Sequence, residues 1–266
     1  MKNSRNIIAA LASVVGVALT MQASAWGMIG HRVVGQIADS YLTPKAKAET
    51  KKILGNETIA MSSNWMDFIK SDTTNNYLGP WHYVNLPADM DTTQFNDFFA
   101  KDTSIDAYTK ILWLVKELKT NKLMSNSDRA KNLKLLIHIV GDVHQPMHLG
   151  HVEDRGGNGV KVNWFREPVN LHIVWDESLI EYQQLSYTEY AAAINYVDAA
   201  TLNMLKKRTL VQHLWDTYQL TQKIYKETQP DSKLSYSYNY KFVNDLNNQL
   251  LEAGIHLASV LNEIYK

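Results

Sequence analysis

Histidine and aspartate recur at one spacing in the middle of this chain. His138 and Asp142 stand four residues apart in His138-Ile-Val-Gly-Asp142, and His172 and Asp176 repeat the interval in His172-Ile-Val-Trp-Asp176. On a helix, residues four apart share a face with Cβ atoms about 5–6 Å apart, so an imidazole and a carboxylate can grip one cation. One such pair could equally be a surface ion pair. The flanks argue otherwise: Leu135, Leu136, Ile137, Ile139 and Val140 surround the first pair, and Leu171, Ile173, Val174 and Trp175 the second. Charge on helices this apolar is buried, and buried charge is paired or binds metal. His148 follows Pro146, which cannot continue a helix, so the turn aims it back toward the same cavity. Two such pairs and a further histidine so close together read as a multinuclear metal site.

These donors need elements to hold them, and the pattern is mainly helical. Apolar residues at helical spacing mark a first helix after His31 (Val33, Val34, Ile37, Ala38, Tyr41). Thr43-Pro44 reads as the cap and first position of a second helix ending near Gly55. Further helices are expected over 63–69, over 105–118 capped by Ser104 with Leu112, Val115 and Leu118 on a stripe, and from about Asp128 through His138. The C-terminal part reads as helices over 188–207, 210–226 and 232–265, the last with Val243, Leu246, Leu250, Leu257 and Leu261 on one face. Residues 81–86 and 160–165 look extended, the latter after the turn-forming Gly156-Gly157-Asn158-Gly159. The expected fold is therefore mainly α: a single-domain multi-helix bundle over 26–266 with a short β-hairpin-like segment and no internal repeat.

The N-terminus reads as an address. Lys2 and Arg5 precede an apolar run over 7–19, followed by Ala23-Ser24-Ala25, the basic, apolar and small-residue parts of a secretory signal peptide. Cleavage after Ala25 would export the protein to the periplasm or the medium and make Trp26 the first residue. Its α-amine, with a pKa of about 7.7–8.0, can be neutral, and with its own carbonyl can chelate a cation. The run over 7–19 is too short to be a good membrane span, and no span is expected in the mature chain. Formal net charge is zero over the 266 residues, and −2 without the leader, which holds two cations and no acid. There is no broad basic face, so phosphates would have to be met by metal and a few local cations. The absence of cysteine excludes thiolate metal sites and disulfides.

Two more donors are unremarkable alone: Asp67 in Trp65-Met-Asp67-Phe-Ile-Lys70, and His82 in Trp81-His82-Tyr83-Val84-Asn85-Leu86-Pro87. Joined to Trp26-Gly, His31, His138-x-x-Gly-Asp142-x-His-Gln-Pro-x-His148, Gly156-Gly-Asn158 and Asn170-Leu-His172-x-x-Trp-Asp176, they form an ordered set running from residue 26 to residue 176. That set resembles the zinc-dependent single-strand nuclease and 3′-nucleotidase family of fungi, plants and bacteria (nuclease S1 and P1 type), relatives of the zinc phospholipases C.

The resemblance implies a helical protein with three zinc ions. One would be held by Asp67, His82, His138 and Asp142. Asp142 would bridge to a second, bound by the Trp26 amine and carbonyl with His31. The third would take His148, His172 and Asp176. Zinc-bound hydroxide would attack phosphorus in line, opposite the departing 3′ oxygen, with Asp67 orienting the nucleophile and Lys70 neutralising the phosphoryl oxygens. Products would be 5′-mononucleotides from single-stranded DNA and RNA. Tyr83 would stack a base and Asn85 recognise its edge; Asn85 departs from the family's usual Asp, so base preference does not carry over. His144 reads as supporting rather than ligating, and His151, His213 and His256 as ordinary. Substrates would be single strands and 3′-nucleotides, with no stable protein partner. The competing readings are a phospholipase C using similar metals and an exported zinc-binding protein without turnover.

Overall fold

A computed structural model describes residues 26–266; the signal-peptide reading of residues 1–25 lies outside them. The chain is mainly α-helical, as its periodicity indicates. The helix Met28–Tyr41 carries Val33, Val34, Ile37 and Ala38 on one buried face. It packs chiefly against the long C-terminal helix Tyr236–Ile264, whose Leu246, Leu250, Leu257 and Leu261 are fully buried. Thr43 caps Pro44–Leu54 by accepting a hydrogen bond from the Ala46 N–H. That supplies one of the orphan amide groups of a helix start with a partner.

The metal-pattern segment lies on Asn126–Asp142, capped by Ser125. Every residue from Leu135 to Asp142 on this helix is buried, so it runs into the core with its last turn wholly enclosed. Beyond it come tight turns and a single 3₁₀ turn, Pro146–Leu149, in which His148 is buried. Residues 83–86 run alongside this segment: the Val84 N–H donates to the His148 carbonyl at 2.8 Å and the Leu86 N–H to the Gly150 carbonyl at 2.9 Å.

A three-stranded sheet completes the structure, with β1 (Lys161–Trp164) between β2 (Glu167–Asn170) and β3 (Lys233–Leu234). Strand β1 pairs antiparallel with β2, Lys161 facing Asn170 and Trp164 facing Glu167. Strand β3 pairs with β1 in parallel. The hairpin delivers Asn170 to the start of the turn bearing His172, where its side chain accepts from the Ile173 N–H at 2.8 Å. Asp176 then falls within a wider π-helical stretch, Val174–Ser178.

Several boundaries differ from those the sequence suggests. The helix expected after Ser104 is Ala107–Thr120, capped by Asp106 in a reciprocal box with Thr109. Its buried stripe is Ile111, Leu114 and Leu118, with Leu112 exposed. Ser104 instead donates to Asp102 and Asp106. Residues 188–207 form two helices, Tyr187–Ile194 and Ala199–Leu205, because Asp198 caps a new start. Trp81 and His82 end a 3₁₀ segment, Thr73–His82, and only the residues that follow are extended.

Candidate metal centre

Asp142 sits at the centre of the buried donors, and its two oxygens face different partners. Oδ1 lies 3.2 Å from His31 Nε2. Oδ2 lies 2.9 Å from His82 Nδ1 and 3.2 Å from His138 Nε2. His138 Nε2 is also 3.7 Å from Asp67 Oδ1. Two ligands on a tetrahedral zinc with bonds of about 2.0–2.2 Å are roughly 3.3–3.5 Å apart, so these spacings suit shared cations. A third group stands beside them: His172 Nε2 is 3.0 Å from Asp176 Oδ2, and His148 Nε2 is 3.7 Å from Asp176 Oδ1.

The rings themselves divide the donors. An imidazole nitrogen binds a cation in its ring plane. His31 and His138 are stacked, centroids 3.9 Å apart and planes within 21°, so near-parallel planes cannot meet at one ion. His138 and His82 are perpendicular at 4.9 Å, which lets their planes cross at a common point. His138 therefore groups with His82 and Asp67, leaving His31 to the other oxygen of Asp142.

Hydrogen bonds orient the rings for ligation. The Nδ1 atoms of His138, His148 and His172 lie 2.6 Å from the carbonyls of Ser63, His82 and Gly156, respectively. Donating there fixes the tautomer and turns each Nε2 lone pair inward, the arrangement typical of metal-binding histidines. His31 Nε2, Asp142 Oδ1 and Asp176 Oδ2, each facing another donor of the cluster, are buried without a hydrogen-bond partner. Polar atoms left so deep are costly unless something else satisfies them, and cations at these positions would do so.

Trp26 reaches the same place. Its indole Nε1 donates to the Gly141 carbonyl at 2.8 Å, and the next N–H, that of Gly27, donates to the Asp176 carbonyl at 2.7 Å. Its side chain is fully buried, so residue 26 is clamped between the two His-xxx-Asp segments. Gly141 leaves room for the imidazole, since a Cβ there would stand 3.0 Å from His31 Nδ1 and press on that ring.

Electrostatics follow from crowding of opposite charges. Burial alone would raise the Asp142 carboxyl, but His138 and His148 overrule it and hold it well below the usual range. Asp67 is likewise held low against burial by His138, Lys70 and His82. Burial pushes His82 down to about 4 and lowers His31 and His148. His138 and His172 are raised, because Asp142 and Asp176 respectively outweigh their burial. The Asp142 and Asp67 carboxylates are thus kept ionised, ready to accept a cation.

The centre opens into a cleft of about 510 Å³ lined in part by Lys70, His82, Tyr83, Asn85, His148 and His172. The Lys70 ammonium lies 2.6 Å from Asp67 Oδ1. Tyr83 is partly exposed at its wall. Every residue proposed from the sequence thus lies in this cleft or in the buried cluster behind it. Sequence reasoning missed Arg155, Asn75 and Asn76, which also line it. Asn75 and Asn76 belong to the 3₁₀ segment, and Arg155 begins a run of positive φ angles through Gly156 (φ 66) and Gly157 (φ 77). That turn presents the Gly156 carbonyl to His172, and a lone arginine beside a glycine pair offers no signal of its own.

A family model described as S1/P1 Nuclease matches residues 26–266. The chain belongs to the S1/P1 nuclease family. Among its relatives, Endonuclease 3 of Arabidopsis thaliana is 30% identical over 276 residues, covering 90% of this chain and 89% of that protein. Endonuclease 4 of the same plant is 29% identical over 269 residues, again 90% and 89%. Nuclease S1 of Aspergillus oryzae is 30% identical over 199 residues, 71% of this chain and 66% of that one. An S1/P1 nuclease acts on nucleic acid, and the His/Asp groups of this member could hold metal. No helix among its described residues is long and apolar enough to cross a membrane.

One further histidine group lies in the core. His144 Nε2 is 3.0 Å from His256 Nδ1, and His213 stacks on His256 at 4.1 Å and 18°. All three are buried. The group has nitrogens close enough for an ion, but stacked planes and the lack of a carboxylate in the group argue for neutral packing instead. Only two residues from Asp142, His144 points away from the cleft into this trio.

Proposed function

We propose that residues 26–266 form one exported, zinc-dependent nuclease domain that cleaves single-stranded DNA and RNA to 5′-mononucleotides and removes phosphate from 3′-nucleotides. The observation that carries this reading is the Asp142 carboxylate, which turns one oxygen to His31 and the other to His82 and His138, beside a third donor group and an open cleft. Nitrogen and oxygen donors without thiolates suit catalytic zinc. Three ions would use Asp67, His82, His138 and Asp142; Asp142, His31 and the amine and carbonyl of Trp26; and His148, His172 and Asp176. Zinc bound there supplies acidified water and positive charge for the phosphoryl and departing 3′ oxygens.

The chain's own groups do the rest. The Asp67 carboxylate orients the attacking water. The Lys70 ammonium, fixed beside Asp67, meets charge gathering on the phosphoryl oxygens. Tyr83 stacks the base next to the scissile bond, a contact tolerant of sequence that favours single strands. Asn85 reads that base's edge, and Arg155 adds a cation at the cleft. We further propose that cleavage after Ala25 frees the Trp26 amine, so that export completes the site.

The test uses protein recovered after export. N-terminal sequencing is expected to begin at Trp26, metal analysis to find zinc, and chelation to abolish turnover. A cleaved single-stranded oligonucleotide should carry 5′-phosphate ends; 3′-phosphate ends would overturn the leaving-group assignment. Faster turnover of phosphatidylcholine than of single-stranded DNA would replace the substrate class with lipid, and zinc without turnover of either would leave a binding protein.

A further inference from the structure

Outside the cleft, three large aromatic rings and two cations form a continuous strip. The 3₁₀ segment Thr73–His82 turns Gly79 and Pro80 toward the cleft and carries Tyr77 and Trp81. Trp81 meets Tyr77 edge to face at 6.0 Å and 80°. On its other side it meets Trp113, from the helix Ala107–Thr120, at 6.0 Å and 74°. Trp81 is buried between them, whereas Tyr77 is 51% and Trp113 42% exposed. Lys110 Nζ lies 4.6 Å from the Trp81 ring centroid and 5.6 Å from that of Trp113. Lys131 Nζ donates to the Tyr77 hydroxyl at 3.1 Å.

Three features set the strip apart from ordinary surface. Its charge is not neutralised: among the described residues neither Lys110 nor Lys131 forms an ion pair with a carboxylate, whereas Lys119 pairs with Glu263 and Lys134 with Glu57. Trp113 is exposed on a helix whose buried stripe, Ile111, Leu114 and Leu118, already supplies the packing. It is also continuous with the cleft, because the first N–H of that helix, on Ala107, donates to the Tyr83 carbonyl at 3.1 Å. Lys110 and Trp113 follow Ala107 by about one and two turns.

We propose that this strip binds the part of a single-stranded nucleic acid that extends beyond the scissile bond, an inference that rests on the nuclease reading. Bases stack on the exposed faces of Trp113 and Tyr77, and Lys110 and Lys131 meet the intervening phosphates. Aromatic platforms interleaved with cations fit single strands, whose bases offer free π faces; duplex bases are already stacked. The strip therefore favours polymer over mononucleotide without touching the reacting atoms.

The experiment compares the zinc-loaded enzyme with its Trp113→Ala, Trp113→Phe and Lys110→Gln variants on a 3′-mononucleotide, a dinucleotide and a long single-stranded oligonucleotide. Trp113→Ala should raise KM for the long strand about 10-fold, within the range for one lost base stack, and leave the 3′-mononucleotide unchanged. Trp113→Phe should restore most of the loss and shows that folding is intact. Lys110→Gln should reduce the slope of log affinity against log salt by about 0.7. An unchanged long-strand KM in Trp113→Ala, or an equal loss on the mononucleotide, overturns the proposal. A loss equally large for duplex binding also overturns it, because contact would then be to backbone alone. Anisotropy of a labelled oligonucleotide with non-cleavable phosphorothioate linkages and the zinc-loaded enzyme separates the two readings. Absence of turnover on any nucleic acid defeats the nuclease reading, while oligonucleotide affinity indifferent to Trp113→Ala and Lys110→Gln defeats the strip.

Discussion

Asn85 is the position where this chain's specificity should be readable from a single functional group. An amide both donates and accepts, so it can pair with the donor–acceptor edge of adenine or cytosine. A carboxylate only accepts, and matches the two adjacent donors of guanine. Asn85 lines the cleft beside Tyr83, close enough in sequence to share its base. We expect Asn85→Asp to move the ratio of kcat/KM for 3′-AMP over 3′-GMP about tenfold toward guanine, since one bidentate base contact discriminates by about 1–3 kcal/mol. Steady-state rates on the four 3′-nucleotides check this, and an unchanged ratio would remove Asn85 from base recognition. His138, Asp142, His172 and Asp176 were visible in the sequence because one His-xxx-Asp spacing recurs between apolar flanks, whereas Asp67 and His82 stood out only as parts of the family pattern. Arg155, Asn75 and Asn76 were not, because a polar residue in a turn is ordinary until the chain folds it against a site.

The elements holding those residues differ in how far local chemistry dictates them. Asn126–Asp142 is legible because its apolar run is long and Ser125 is a good cap. The helix starts at Asp106 and Asp198 were equally local signals, and a reading that put the cap at Ser104 and ran one helix over 188–207 undervalued aspartate as a cap. The 3₁₀ segment Thr73–His82 has a cap in Asp72 but no long apolar run behind it; Tyr77 and Trp81 meet Trp113 and Lys131 from distant helices. The short turn bearing His172 is capped by Asn170, whose side chain accepts from the Ile173 N–H. Asn170→Ala should therefore lower stability by about 1 kcal/mol and, under the three-zinc proposal, release the ion assigned to His148, His172 and Asp176 before the others. Thermal unfolding and stepwise chelation would register it; simultaneous loss of all zinc would mean that the His172 turn is held by the metal cluster rather than by its cap.

Across the whole molecule, acid sensitivity should arise from histidines far from any substrate. His144, His213 and His256 are buried together, where His144 and His256 are held well below the ordinary imidazole range by burial and by the neighbouring His213. Burial, with Arg208 nearby, pushes His213 down to about 4. The unfolded chain takes up these protons near pH 6.5, whereas the folded chain refuses them until far lower pH. The unfolded state therefore binds more protons as pH falls, so stability is fully present above about pH 6.5 and is lost on acidification toward pH 4. For His213 alone that window corresponds to about 2–3 kcal/mol. Metal ligands also meet protons in this range, so the comparison needs a variant that leaves them untouched. His213→Leu should be less acid-sensitive than the parent, its stability falling by about 2–3 kcal/mol less between pH 7 and pH 4, even if packing changes its absolute stability. Denaturant unfolding across that range, with zinc content followed in parallel, measures the difference. Equal pH slopes in the two proteins would mean that the trio takes up its protons within the fold, and that acid acts through the metal centre alone.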